Sequence, residues 1–438
     1  MASLTVFEFQ LLVGDAQGAV EAADVHAIPE PVFAWLEQES LRASEDGTTN
    51  WSRLAQYRGR RAIRLSGYVG VLRAPCGYQI EVLPKIGKDE GNDPGYQRDL
   101  LLGMLGCLRQ FRHLRVDRAS LAARRMPLLE VFIGEFLLSV RDVVKHGLRR
   151  DYLARQGNLP VLRGKLMIAA HLRDNLVRAD RFHTEHDEFC DHRPENRILH
   201  AALRRVLAQA RSPEHQRLAR ELLFVFTDIP LPTDVTLAFR QVRIDRGMGY
   251  YEPALDWARL ILTGHSPLTG SGGNLATSML FPMEAVFEAF VGKHLRRQVG
   301  QRAVLREQVQ EQHLVQHQTQ QWFRLKPDFL LQQEKRYPVV LDTKWKLLNQ
   351  YQTEAKHKYG LSQSDFYQMQ AYCLAYMPEG GHVMLISPKT RLFNQALPVF
   401  EFQLEKRFKL WVVPFCLEHK TLLLPADCDE DLTALIGP

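Results

Sequence analysis

Two short apolar runs, each broken by a carboxylate, constrain this chain more than any other feature. They are Lys326-Pro327-Asp328-Phe329-Leu330-Leu331 and Val339-Val340-Leu341-Asp342-Thr343-Lys344-Trp345-Lys346. The polar segment Gln333-Glu334-Lys335-Arg336 between them reads as the turn of a hairpin. A hairpin folded about Lys335 sets Asp328 directly across from Asp342, with Cβ atoms roughly 4.5 to 5.5 Å apart. Strand alternation then puts Lys326, Asp328, Asp342, Lys344 and Lys346 on one face, and Phe329, Leu331, Val339, Leu341 and Trp345 on the other. That division predicts one chemical face and one core face.

Facing carboxylates cost free energy unless a proton or a cation relieves them, and hard oxygen ligands suit Mg²⁺ or Mn²⁺. Asp328 and Asp342 are therefore candidate metal ligands, with Lys344 placed to steady an attacking water or the charge developing on a phosphorane. The chemistry is hydrolysis of a nucleic-acid backbone. Such short patterns also occur where a carboxylate merely ends a strand and lysines line a solvated face, so the flanks decide.

Upstream, Phe281 to Val291 reads as a helix with Pro282 near its first turn, carrying Glu284 and Glu288 on its polar side. Downstream, Ser364 to Tyr372 reads as a second helix with Asp365, Gln368 and Tyr372 along one side, and a further strand follows at His382 to Ile386. The order helix, paired strands, helix, strand, with acids on the first helix and the strands, resembles the PD-(D/E)xK nuclease superfamily, a small mixed sheet flanked by helices.

The spellings Phe287-Glu288, Pro327-Asp328, Leu341-Asp342-Thr343-Lys344-Trp345-Lys346 and Gln368-Met369-Gln370-Ala371-Tyr372 look like the nuclease half of the McrC family, cleavage subunits of the McrBC modification-dependent restriction system. The resemblance continues upstream through Tyr68-Val69-Gly70-Val71, Ile80-Glu81-Val82-Leu83-Pro84-Lys85-Ile86, Arg163-Gly164-Lys165-Leu166 and Asn196-Arg197-Ile198-Leu199. It implies Asp328, Asp342 and Lys344 as the catalytic core, Glu288 as an accessory carboxylate and metal ligand beside Asp328 and Asp342, and Mg²⁺ (or Mn²⁺) as cofactor. Gln368 and Tyr372 fit the Gln-x-x-x-Tyr feature of RecB-like branches, which contacts DNA or supports the site; Lys346 is assigned to the same group. Glu284 is the weaker candidate on its helix. The resemblance further implies a partner, an McrB-like AAA+ GTPase ring that bears the DNA-reading domain, with the N-terminal half of this chain docking on it and stimulating its hydrolysis.

The chain has no nucleotide site of its own. The loop His265 to Asn274 is glycine-rich, but no Gly-Lys-Ser/Thr follows it or occurs elsewhere. The expected function is thus a Mg²⁺-dependent endonuclease subunit acting on methylated foreign DNA. A stand-alone RecB-like repair nuclease and a non-catalytic activator of an NTPase are the alternatives.

At 438 residues, 45% hydrophobic and 24% charged, the composition is that of an ordinary globular protein large enough for two or three domains. The expected layout is mixed α/β and multidomain: a β-rich partner-docking region over 1–100, a helical middle over 101–264, and a restriction-endonuclease-like domain over 265–438. Strand candidates are Val6 to Val13, Ala62 to Leu72 and Tyr78 to Lys85; helix candidates are Glu30 to Leu41, Leu100 to Phe111, Leu128 to His146, Asn196 to Ala210 and Glu214 to Phe226. No run approaches a membrane span and the first residues lack a signal-peptide pattern, which predicts a cytoplasmic protein with no membrane partner.

The net charge of +6 suits a DNA partner. Basic residues concentrate at Arg109 to Arg125 and at Lys145, Arg149, Arg150, Arg155, Arg163 and Lys165, either of which suits a phosphate backbone or an acidic protein; a solvated helical face explains the first equally well. Six scattered cysteines form no CxxC pair and read as reduced thiols. His183, His186, Cys190 and His192 lie close in sequence, but in no common zinc spacing.

Overall fold

The computed structural model describes residues 3–15, 22–45, 51–88, 93–108, 111, 126–178, 180–263, 279–333, 336–403, 405–425 and 428–437. The basic residues of the run Arg109 to Arg125 and the loop His265 to Asn274 lie outside the described residues. The chain groups into two compact units: Met1–Arg125 together with Ser266–Pro438, and Met126–His265. The N-terminal strands therefore share a unit with the C-terminal region, where the sequence reading set them apart.

The first unit begins with β1 (Ser3–Phe7), β2 (Leu11–Gly14), β3 (Val25–Ile28), α1 (Glu30–Glu45), β4 (Ser52–Tyr57), β5 (Arg60–Leu65), β6 (Tyr68–Arg73), β7 (Gln79–Leu83) and α2 (Pro94–Leu105). Two runs expected as single strands are each two. Val6 to Val13 breaks at Glu8-Phe9-Gln10, where Phe9 takes φ +65°, and Ala62 to Leu72 breaks at Ser66-Gly67. The helix expected from Leu100 starts earlier, because Asp93 caps it by accepting from the Gly95 and Tyr96 amides.

The second unit holds α3 (Leu128–His146), β8 (Asp151–Leu159), β9 (Lys165–Leu166), α4 (Ile168–Asn175), β10 (Phe182–Cys190), α5 (Pro194–Gln209), α6 (Pro213–Val225), α7 (Val235–Gln241) and α8 (Glu252–Thr263). α3 ends where Gly147 takes φ +89°, as its sequence predicts. The helical reading of this region misses β8 and β10, a nine-residue antiparallel pair with β9 on its edge.

The chain then completes the first unit with β11 (Met279–Pro282), α9 (Met283–Val299), β12 (Val304–Glu307), β13 (Gln312–His317), β14 (Gln320–Leu325), β15 (Phe329–Gln333), β16 (Arg336–Thr343), α10 (Gln363–Tyr376), β17 (Gly381–Pro388), β18 (Phe400–Glu401), β19 (Phe408–Cys416), β20 (Thr421–Leu422) and α11 (Glu430–Ile436). β11 pairs with β6, giving a sheet in the order β1-β7-β6-β11; β3-β2-β5-β4 form another. Gly70 makes the β6–β11 approach feasible: at φ +131°, a Cβ there would stand 2.0 Å from the Met279 carbonyl oxygen.

The largest sheet runs β12-β15-β16-β17-β19-β18, with β20 beside β19. β12, β15 and β16 are antiparallel neighbours, while β16, β17 and β19 are parallel. Parallel strands are normally covered on both faces, and this sheet is. On one side Leu330 and Val340 are fully buried with Met369, Tyr372 and Cys373 of α10. On the other, Phe329, Leu331, Val339 and Leu341 are buried, and α9 approaches so closely that a Cβ on Gly292 would meet the Phe329 ring at 2.7 Å.

Candidate active site

The hairpin register is the one expected. Phe329 faces Leu341 and Leu331 faces Val339, with an irregularity only beyond Leu331, so one further step sets Asp328 against Asp342. Asp328 lies just before β15 and is held from across the hairpin, its Oδ2 accepting from the Thr343 amide (2.7 Å) and hydroxyl (2.6 Å). The two-face division needs correction. Leu330 and Val340, on the carboxylate side, are as buried as the residues opposite, because α10 covers that face. The polar site is only the mouth of a core, at the C-terminal end of parallel strand β16, where open α/β sheets place their ligands.

Asp342 is 2% exposed. Burial, then the Asp328 charge, raises its carboxyl well above the usual range, against the pull of Lys344. Lys344 Nζ stands 2.5 Å from Asp342 Oδ2 as an ion pair, yet off the direction of a hydrogen bond, so this buried oxygen has no aligned donor. Burial pulls the Lys344 ammonium down, but Asp342 first, then Asp328 and Asp365, outweigh it and hold the group above its ordinary value. Lys344 is thus a firm cation. Glu288, on α9, is also raised, by burial and then by Asp328, and its Oε1 accepts from the Gln308 side chain. Glu284, one turn earlier, is exposed.

Three further sequence candidates have structural partners. Gln368 donates to the Tyr372 hydroxyl (2.8 Å), which donates to the Lys326 carbonyl (2.9 Å), two residues before Asp328. Lys346 does not stand free: its Nζ reaches both Asp365 oxygens (2.8 and 2.6 Å) and Ser362 Oγ (3.1 Å). Asp365 also takes the Ser362 amide at the start of α10, so the segment after β16 is tied to a helix cap.

Sequence reading missed a second group. Glu8, fully buried in the turn between β1 and β2, accepts from the Lys85 amide (2.9 Å) and from Trp345 Nε1 (2.9 Å) through one oxygen. Lys85 Nζ donates to the Trp345 carbonyl (2.6 Å) and lies 4.8 Å from the Phe9 ring centre. Thus the residue after Lys344 is gripped at both its side chain and its backbone. The only signal was that Lys85 and Trp345 each fall within a stretch carrying the family resemblance.

His183, His186, Cys190 and His192 do not converge. His183 and His186 fall on opposite faces of β10, His183 pairs with Asp174 (3.1 Å), and His192 contacts Arg155 and the Asp228 carbonyl. Among the described residues no three His, Cys, Asp or Glu side chains form a cluster able to hold a metal. Nor is any helix among them long and apolar enough to cross a membrane. Lys145, Arg149, Arg150, Arg155, Arg163 and Lys165 are all exposed in the second unit, Arg155 paired with Glu188 at 2.6 Å.

Fold and cluster together define a mixed α/β multidomain protein with carboxylates and a lysine at the end of a central strand. The family model described as "McrBC 5-methylcytosine restriction system component" matches residues 63–388, and the chain belongs to that family. Its fold resembles a chain in the refined half-complex from a tetradecameric assembly of Thermococcus gammatolerans McrB AAA+ hexamers with bound McrC, with TM-score 0.65 and 17% identity over 99% of this chain and 98% of that one. A chain in the cryo-EM structure of the Thermococcus gammatolerans McrBC complex aligns over 68% of this chain and 89% of its own, with TM-score 0.49 and 20% identity. No curated protein matches. The resemblance to McrC in the sequence motifs is borne out at the level of family.

Proposed function

We propose that this chain is the metal-dependent endonuclease subunit of a McrBC-type restriction complex, with a PD-(D/E)xK site built from Asp328, Asp342 and Lys344 and assisted by Glu288. The observation that carries this reading is the pairing of Asp328 with Asp342 across the β15–β16 hairpin, beside a lysine held charged. Clustered carboxylates with raised pKa values beside a lysine are the kind of arrangement that marks functional sites.

The donor set fits Mg²⁺. Two raised carboxylates and a buried Asp342 oxygen without an aligned donor are groups that a divalent cation relieves. The missing three-ligand cage is no obstacle, since Mg²⁺ commonly binds through one or two carboxylates and keeps several waters. Asp328 and Asp342 would hold it, with Glu288 at the margin; when bound it supplies Lewis acidity toward the phosphodiester and the attacking water. Lys344 then turns from Asp342 toward the scissile phosphate and stabilises the charge that builds there. Thr343 fixes Asp328 throughout, and Lys346 fixes the segment through Asp365.

The solved relatives are described as McrB AAA+ hexamers with bound McrC and as an McrBC complex. On that basis the chain docks on an McrB-like ring, stimulates its GTPase and cleaves methylated foreign DNA in the cytoplasm. Support for docking comes not from the expected 1–100 region but from the second unit, where Tyr152, Phe189, Ile168, Leu172, Leu176 and Val177 are exposed on or beside β8, β10 and α4.

The test is cleavage of methylated and unmethylated plasmid with Mg²⁺, using wild type and Asp342→Ala, each with and without an AAA+ partner and GTP. Cutting that requires Asp342, the partner and GTP supports the reading. Partner-free cutting points to a repair nuclease, and absence of cutting with intact stimulation of the partner points to a regulator.

A further inference from the structure

Between β12 and β15 the chain folds as a separate two-stranded ribbon, β13 and β14, belonging to no larger sheet. His313 faces Arg324, Val315 faces Trp322, and Gln316 faces Gln321; no pair joins Leu314 to Phe323. Phe323 takes φ +56° there and is 68% exposed. Trp322 is 43% exposed, with the His317 ring 4.8 Å away. The root is fixed: the Tyr376 hydroxyl accepts from the Gln312 amide (3.4 Å) and donates to the Leu325 carbonyl (3.0 Å). Directly after β14 come Lys326, Pro327 and Asp328, so the ribbon stands next to the candidate carboxylates in the chain, and the Lys326 charge is felt by Glu288.

Its composition narrows the partner. From Gln312 to Pro327 there is no Asp or Glu, while Arg324, Lys326, two histidines and five glutamines are present. A stretch without carboxylates suits a polyanion. Glutamine amides donate and accept, as base edges require, exposed aromatics offer stacking surfaces, and a two-stranded ribbon has the width that a DNA major groove admits.

We propose that the β13–β14 ribbon is a contact for duplex DNA beside the site, with Phe323 and Trp322 against the nucleotides and Arg324 on a phosphate. This rests on the nuclease reading and names the surface through which that reading's substrate is held. Arg324 already donates to Gln310 (3.0 Å) and His313 (3.3 Å), which pre-orients its guanidinium on the ribbon.

The experiment uses the full chain and a fluorescein-labelled DNA duplex, with binding followed by anisotropy across a salt series without divalent metal. Cleavage with Mg²⁺ is scored separately, with the AAA+ partner and GTP present. Trp322→Ala/Phe323→Ala is expected to weaken binding about tenfold or more, and Arg324→Ala to lower the salt slope by about 1. A photo-crosslinking phenylalanine at position 323 is expected to join the protein to the duplex, a readout that does not depend on truncating the ribbon. Wild-type affinity in the double variant, or no crosslink to DNA, overturns the proposal. Ribbon-dependent binding without cleavage leaves it standing and removes the nuclease reading; cleavage with ribbon-independent binding does the reverse.

Discussion

Glu8 and Trp345 stand 337 positions apart in the chain and share a buried hydrogen bond of 2.9 Å, one residue beyond Lys344. This ties a turn in the N-terminal strands to the segment that leaves the central strand of the candidate site. Burial lifts the Glu8 carboxyl from 4.5 to about 7, against the opposing pull of Lys85 and of the Lys85 and Trp345 hydrogen bonds.

Because that value is raised, the folded protein keeps a proton on Glu8 that the unfolded chain has already lost. The associated stability is complete below about pH 4.5 and is lost as pH rises through about 7. Glu8→Gln, neutral at every pH, should flatten the decline between pH 5 and 8 by something on the order of 3 kcal/mol. Urea unfolding at the two pH values decides it. An unchanged decline in the variant would remove Glu8 from the account.

Lys344→Met should leave the buried Asp342 without its cation. The cost, up to about 3 kcal/mol at pH 8, should shrink at pH 5, where the raised Asp342 carboxyl is more readily protonated. Melting temperatures of wild type and variant across this range check the sign; a deficit that grows toward acid pH contradicts the pairing. DNA cleavage should be lost at both pH values.

Tyr372→Phe deletes one hydroxyl linking Gln368 to the Lys326 carbonyl. A loss of about 1 kcal/mol is expected, with cleavage slowed rather than abolished, because the hydroxyl supports the strand before Asp328. Total loss of cleavage in a fully folded variant would instead place Tyr372 in contact with the substrate.

Gly70→Ala should destabilise the first unit by about 2 kcal/mol or more, since the backbone is at φ +131° and the new methyl would collide with the Met279 carbonyl. A chemical-denaturation midpoint equal to wild type would mean that β11 can shift off β6 without penalty.

How much could be read in the chain differs by element. The Asp328–Asp342 register was legible because β15 and β16 are sequence neighbours and their turn fixes the pairing. Helices α3, α5 and α6 were legible from one apolar side and from Pro or Gly at their ends. The strands β8 and β10 were not, since β8 is largely exposed, β10 is mostly half-buried, and neither shows the apolar alternation that marks a half-buried strand. The inward turn of Glu8 was invisible for another reason: a lone glutamate in an apolar run carries no mark of partners at Lys85 and Trp345. Lys346 was grouped with residues that contact DNA or support the site, but its attachment to Asp365 was not legible, because it depends on how α10 returns over the sheet.

The pairing of β11 with β6 has a consequence for synthesis on the ribosome. β6 ends at Arg73 and β11 begins at Met279, so that edge of the N-terminal sheet stays open while the whole second unit is being made. At ~5–20 residues per second this lasts roughly 10 to 40 seconds, during which β6, paired only with β7, presents one open edge to other chains. Expressed from residue 265 onward, the C-terminal segment would lack β6 altogether, so the part that carries the candidate site is not a portable cassette.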